Sequence, residues 1–136
     1  MAKVLGIGGV FFKSGEPSKL AAWYATHLSM TIEDFGGVRF DPKTMPAGAY
    51  AVWAPFDATT GYFKPSNKEF MLNLVVDDLD AALKQVAAGG ARIVGEVEKY
   101  EYGRFGRFVD PDGNKIELWQ PVNVESSLLP PGEGGA

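Results

Sequence analysis

Apolar and polar positions along the chain run through the same succession twice. Residues 4–12 are apolar and β-rich up to the turn signal Lys13-Ser14-Gly15, which predicts a strand. Pro17 suits a first helical turn, and Leu20, Trp23, Tyr24, His27 and Leu28 follow at helical spacing, so residues 17–28 read as an amphipathic helix. Short β-like pieces come next at 30–33, 38–40 and 49–53, with Gly36-Gly37 as a hairpin turn. Residues 70–76 then open the second round as a strand. Asp77-Asp78 offers a helix N-cap, Leu79, Ala82, Leu83, Val86 and Ala87 form an apolar stripe, and Gly89-Gly90 ends it. Residues 92–94, 96–108 (interrupted by glycines) and 114–120 complete the set as strands.

The two helical stripes share one offset. Leu20, Trp23 and Tyr24 lie 59 positions before Leu79, Ala82 and Leu83 (79 − 20, 82 − 23, 83 − 24). Together with the repeated element order, this argues for an internal duplication. The expected organisation is a single domain with module one at about 4–54, a linker at about 55–67, module two at about 68–121 and a loosely held tail at 122–136.

Composition narrows the chemistry. The chain has 136 residues, 46% of them hydrophobic, which suits one folded domain with a real core. A net charge of −4 disfavours broad binding to nucleic acid or to an anionic membrane. With no cysteine, disulfides, zinc–cysteine sites, iron–sulfur clusters and a thiol nucleophile are excluded. Glycines interrupt the apolar run at the N-terminus, so no signal peptide is expected there, and no stretch is long enough to span a bilayer. A cytoplasmic protein is the expectation. Gly6-Ile7-Gly8-Gly9 lacks the strand–turn–helix context of a dinucleotide fingerprint. Asp110-Pro111-Asp112-Gly113 lacks the spaced ligands of a calcium loop and reads as a tight turn.

Trp23-Tyr24 with Leu28-Ser29-Met30, the run from Val75 to Ala82, Tyr102-Gly103-Arg104, and the stretch from Phe108 to Asn114 leading into Ile116-Glu117-Leu118-Trp119 together resemble the vicinal oxygen chelate superfamily. That superfamily includes glyoxalase I, bleomycin-resistance proteins and extradiol dioxygenases. The resemblance covers about residues 4–121. It implies an α+β fold in which two tandem βαβββ modules form a curved mixed-sheet half-barrel enclosing a pocket. Members often hold a divalent metal with one ligand from the first and last strand of each module. On this chain those positions fall at Gly9, Ala51, Met71 and Glu117, and only Glu117 is a ligand type. The single histidine, His27, lies on a helical stripe, where a structural role is expected. One carboxylate does not hold a transition metal, so no metal and no cofactor is expected.

Side chains alternate faces along a strand. Ile116 and Leu118 are therefore expected under a helix, with Glu117 and Trp119 facing the pocket. The same parity puts Phe11, Trp53, Met71 and Asn73 on the concave side. Arg104 and Arg107 flank Phe105-Gly106 near the pocket mouth and are able to clamp a carboxylate or phosphate. Which one faces inward stays open, as it does for Tyr100 and Tyr102; Arg104 is counted with the lining. This lining suits a flat, apolar or aromatic small molecule. Phe11, Trp53, Met71 and Trp119 equally suit a barrel filled by its own side chains.

Three functions follow as expectations. The first is a small-molecule-binding protein of the glyoxalase and bleomycin-resistance type that has lost its metal site. The second is a lyase or isomerase of glyoxalase-like type, with Glu117, desolvated by aromatic neighbours, as its acid–base group, or with a non-standard metal site. The third is a non-catalytic interaction domain. Relatives with two modules per chain commonly pair, so the resemblance also implies a homodimer.

Overall fold

The computed structural model describes residues 1–3, 5 and 7–122; the greater part of the expected tail, and positions 4 and 6 of the first expected strand, lie outside the described residues. Helix α1 spans Pro17–Leu28, with Pro17 at its first position. Its C-terminus closes with Ser29 in the left-handed region (φ 56°) and the Met30 N–H donating to the Tyr24 carbonyl at 3.3 Å. After a single 3-10 turn at Pro42–Thr44 come strand β1 (Leu72–Val75), helix α2 (Leu79–Ala88) and strands β2 (Arg92–Tyr100), β3 (Gly103–Val109) and β4 (Lys115–Pro121). The four strands form one mixed sheet in the order β1-β4-β3-β2. β1 runs parallel to β4, and the other two pairings are antiparallel.

Helix α2 is capped twice. The Asp78 carboxylate accepts from the Ala81 N–H at 3.0 Å, and Gln120 Oε1, reaching across from β4, accepts from the Leu79 N–H at 2.8 Å. Its buried stripe of Leu79, Ala82 and Val86 packs on Phe108, Ile116 and Leu118 of the sheet. Leu20 and Tyr24 of α1 join the same core. Trp23 Nε1 donates to the Gly89 carbonyl, and the His27 ring packs against Gly89 so closely that a Cβ there would lie 2.7 Å from it. Both helices therefore cover one face of the sheet.

The Asp110–Asn114 turn joins the halves. Asp110 is buried and accepts from Tyr24 Oη at 2.9 Å, from Asn114 Nδ2 at 2.9 Å, and from the backbone N–H groups of Asp112 and Asn114. Burial first, and the Asp110 charge second, hold the Tyr24 phenol far above the ordinary tyrosine range. Ser14 Oγ reaches Asp112 across the same turn.

Two expectations need correction. Residues 96–108 are not one interrupted strand: the chain reverses at Glu101-Tyr102, and β2 runs through Gly95 (φ +68°) with a shift of register between Val94 and Glu98. The expected strands at 4–12, 30–33, 38–40 and 49–53 form no ladder among the described residues. Two of them are only three or four residues long, and α1 packs into the second module's core instead of onto a sheet of its own. Of these pieces the turn survives, with the Glu33 N–H donating to the Gly37 carbonyl at 2.8 Å.

Candidate functional site

The face of the sheet turned away from the helices carries the chemistry. Strand parity and register assign its side chains in rows. Asn73 of β1, Glu117 of β4 and Arg107 of β3 are register partners across three strands. The next row pairs Trp119 with Phe105, and Glu98 of β2 pairs with Phe105 on its other side.

The first row is polar. Glu117 accepts from Tyr62 Oη at 2.5 Å and from Asn73 Nδ2 at 2.9 Å, and Arg107 stands 3.6 Å from its Oε2. Arg107 is buried, at 6% exposure. Its one short contact is from Nη2 to the Glu96 carbonyl at 3.0 Å. Those from Nη1 to Glu98 and Tyr62 are longer, at 3.4 and 3.5 Å. The Glu96 carbonyl lies in the stretch of β2 where the register shifts between Val94 and Glu98. Lys115, also buried, donates to the Tyr62 carbonyl and lies 4.4 Å over the Tyr62 ring. Desolvation and the neighbouring Arg107 charge pull its amine below the ordinary lysine range. Desolvation, followed by the hydrogen bond to Glu117, pushes the Tyr62 phenol up to about 12.

The second row is aromatic. Phe105 and Trp119 lie parallel, 6.0 Å between centroids, and Tyr50 packs on Trp119 at 4.9 Å. Tyr100 and Tyr102 stack on each other, and both meet Phe105 in a T-shaped arrangement. Trp119 is buried, with Nε1 donating to the Tyr102 carbonyl, whereas Tyr50, Tyr100 and Tyr102 are about half exposed.

Sequence-predicted site residues thus divide. Glu117, Asn73 and Trp119 meet on this face. Met71, two residues before Asn73, lines a separate cavity of about 540 Å³ with Phe11, to which Phe12, Phe70 and the two cations Lys13 and Lys68 also contribute. Trp53 is exposed and makes no ring contact with this group among the described residues. Arg104 belongs to the other face: it shares parity with Gly106 and Phe108, and pairs with Asp80 of α2 at 2.8 Å. The inward arginine is Arg107. Sequence reasoning missed Lys115, although its parity with Glu117 follows from the period of β4. It also missed Tyr62, which sits in the expected linker, where no period applies.

Gly9, Ala51 and Met71 bring no donor to Glu117, whose oxygens already accept from Tyr62 and Asn73. Among the described residues no three His, Asp or Glu side chains converge.

A glyoxalase-like domain family model matches residues 9–119. No curated protein matches the chain. Solved structures with a similar fold include an antibiotic binding protein, TnmS3, from a Streptomyces species (24% identity, 79% of this chain and 88% of that one, TM-score 0.47). A protein of unknown function from Agrobacterium tumefaciens aligns at 22% identity over 85% of this chain and 98% of that one, with a TM-score of 0.50. A member of the glyoxalase/bleomycin resistance protein/dioxygenase superfamily from Sphaerobacter thermophilus aligns at 21% identity over 88% and 98%, with a TM-score of 0.47.

Proposed function

The chain belongs to the glyoxalase-like domain family of the vicinal oxygen chelate superfamily, and from that premise we propose that it is a metal-independent small-molecule-binding protein. Its ligand is a flat, apolar or aromatic molecule held on the sheet face between Phe105 and the Arg107–Glu117 pair. The observation that carries this reading is the juxtaposition of an aromatic row with a polar row, the buried Arg107 beside the half-buried Glu117, on two neighbouring strands. Apolar area supplies the affinity in such sites, and a few fixed polar groups set the orientation.

A second reading, turnover of glyoxalase-like type with Glu117 as acid–base group, draws on the short contact between Glu117 and Tyr62. Both readings take the protein as a cytoplasmic homodimer. No helix among the described residues is long and apolar enough to cross a membrane.

A thermal-shift screen of aromatic ligands on tag-free protein tests the first reading. A ligand at about 100 times its dissociation constant stabilises by about 2.7 kcal/mol. Stoichiometric metal in the same preparation, detected by mass spectrometry, would reject metal independence. Turnover of the methylglyoxal–glutathione adduct that is abolished by Glu117→Gln with the fold intact would favour the second reading.

A further inference from the structure

We infer that the ligand of this face is an aromatic carboxylate, whose carboxyl group is taken by the Arg107 guanidinium while its ring lies on Phe105. The inference rests on the small-molecule reading above and adds the class of ligand.

Charge in this corner is unbalanced. Among the described residues the buried cations are Arg107 and Lys115, and the carboxylate held beside them is the half-buried Glu117. Glu98, the other acidic neighbour, has its side chain 47% exposed and stands 3.4 Å away, so water competes for it. The fork of Arg107 is under-used as well. Charge-assisted bonds to oxygen run at about 2.7–2.9 Å, and the Nη1 contacts here are at 3.4, 3.5 and 3.6 Å. Nη2 alone has a partner at ordinary length, the Glu96 carbonyl. A planar guanidinium so placed has donors to give, and a carboxylate meets two of them at once.

The ring seat is set by strand geometry. Phe105 and Arg107 are two residues apart on one face of β3, about 7 Å along the strand. That is roughly the reach from the centre of a stacked ring, through its carboxylate, to a hydrogen-bond donor. Phe105 is half-buried and flanked by the exposed rings of Tyr100 and Tyr102, so its surroundings are aromatic on the side away from Arg107. The Glu96 carbonyl, inside the register shift of β2, holds Nη2 from one side.

Calorimetric titration of the full chain with sodium 2-naphthoate and with its neutral isostere 2-naphthamide tests the assignment. The wild-type protein is expected to bind the acid at least about tenfold more tightly, the ratio supplied by one hydrogen bond to a charged group. Arg107→Gln should remove that preference, bringing the acid's affinity to that of the amide in the same variant; Arg107→Lys, which keeps the charge and loses the fork, should fall between. The wild-type ratio is decisive even if a variant fails to fold. Equal binding of acid and amide would overturn the carboxylate assignment and leave the flat-ligand reading standing. Failure of both at millimolar concentration would overturn the two together.

Discussion

At the scale of single residues, Tyr24 and Tyr62 hold most of the pH dependence that can be tested. Both phenols titrate above the ordinary value of 10.0 in the folded chain, chiefly through desolvation and then through a neighbouring carboxylate. A phenol whose folded value is raised keeps its proton while the unfolded chain loses one. Its stabilisation is complete below pH 10.0 and declines as pH rises toward about 12 and beyond. Urea midpoints measured from pH 9 to 11.5 should fall along that limb, and the Tyr24→Phe, Tyr62→Phe double variant should flatten it. At neutral pH, Tyr24→Phe alone leaves the buried Asp110 short of a donor and should cost about 1–3 kcal/mol in chemical denaturation. Gly103 is the other sensitive residue. It has φ +135°, and a Cβ would sit 2.4 Å from the Gln120 carbonyl, a backbone atom with nowhere to go. At Gly106 the obstacle is a Leu83 methyl group 2.9 Å away, which can turn aside. Gly103→Ala should therefore lower Tm well below Gly106→Ala, by melting curves on the two proteins.

At the scale of elements, α2 depends on β4 for the first of its free N–H groups. Gln120→Leu removes the acceptor for Leu79 and should destabilise by about 1 kcal/mol. Hydrogen exchange should accelerate at Leu79 first and leave the middle of the helix protected; uniform acceleration would contradict this. The same elements indicate what can be read from sequence. The stop of α2 at Gly89-Gly90, its Asp78 cap and the parity of β4 follow from local period and turn chemistry, so Ile116, Glu117, Leu118 and Trp119 land on the faces their spacing implies. Arg104 and Arg107 could not be told apart, because the reversal at Glu101-Tyr102 lies inside a stretch whose glycines blur the alternation. Tyr62 and the unpaired first-half segments depend on contacts between distant parts of the chain, which local pattern does not encode.

At the scale of the molecule, apolar surface is unevenly shared. Phe11 is 95% exposed, Trp53 81% and Phe35 69%, all in the first half, whereas the most exposed large apolar side chains of strands β2 to β4 and the β2–β3 turn, Tyr100 and Tyr102, are about half exposed. Exposed apolar area of this extent is costly in water. Light scattering at micromolar concentration should accordingly give about twice the 14.7 kDa chain mass, consistent with the proposed homodimer; a monomeric mass would reject it.

The bond between Tyr24 and Asp110 also bears on the order in which the protein is made. Its partners are 86 positions apart, and the Ser14–Asp112 contact spans 98. A ribosome that has completed α1 has yet to build Phe108, Asp110, Ile116 and Leu118, the groups this helix rests on. The first helix therefore waits, with Leu20 and Trp23 open to water or to a chaperone, until most of the chain has emerged. Synthesis from the N-terminus gives it no head start, because the side chains it packs on are made last.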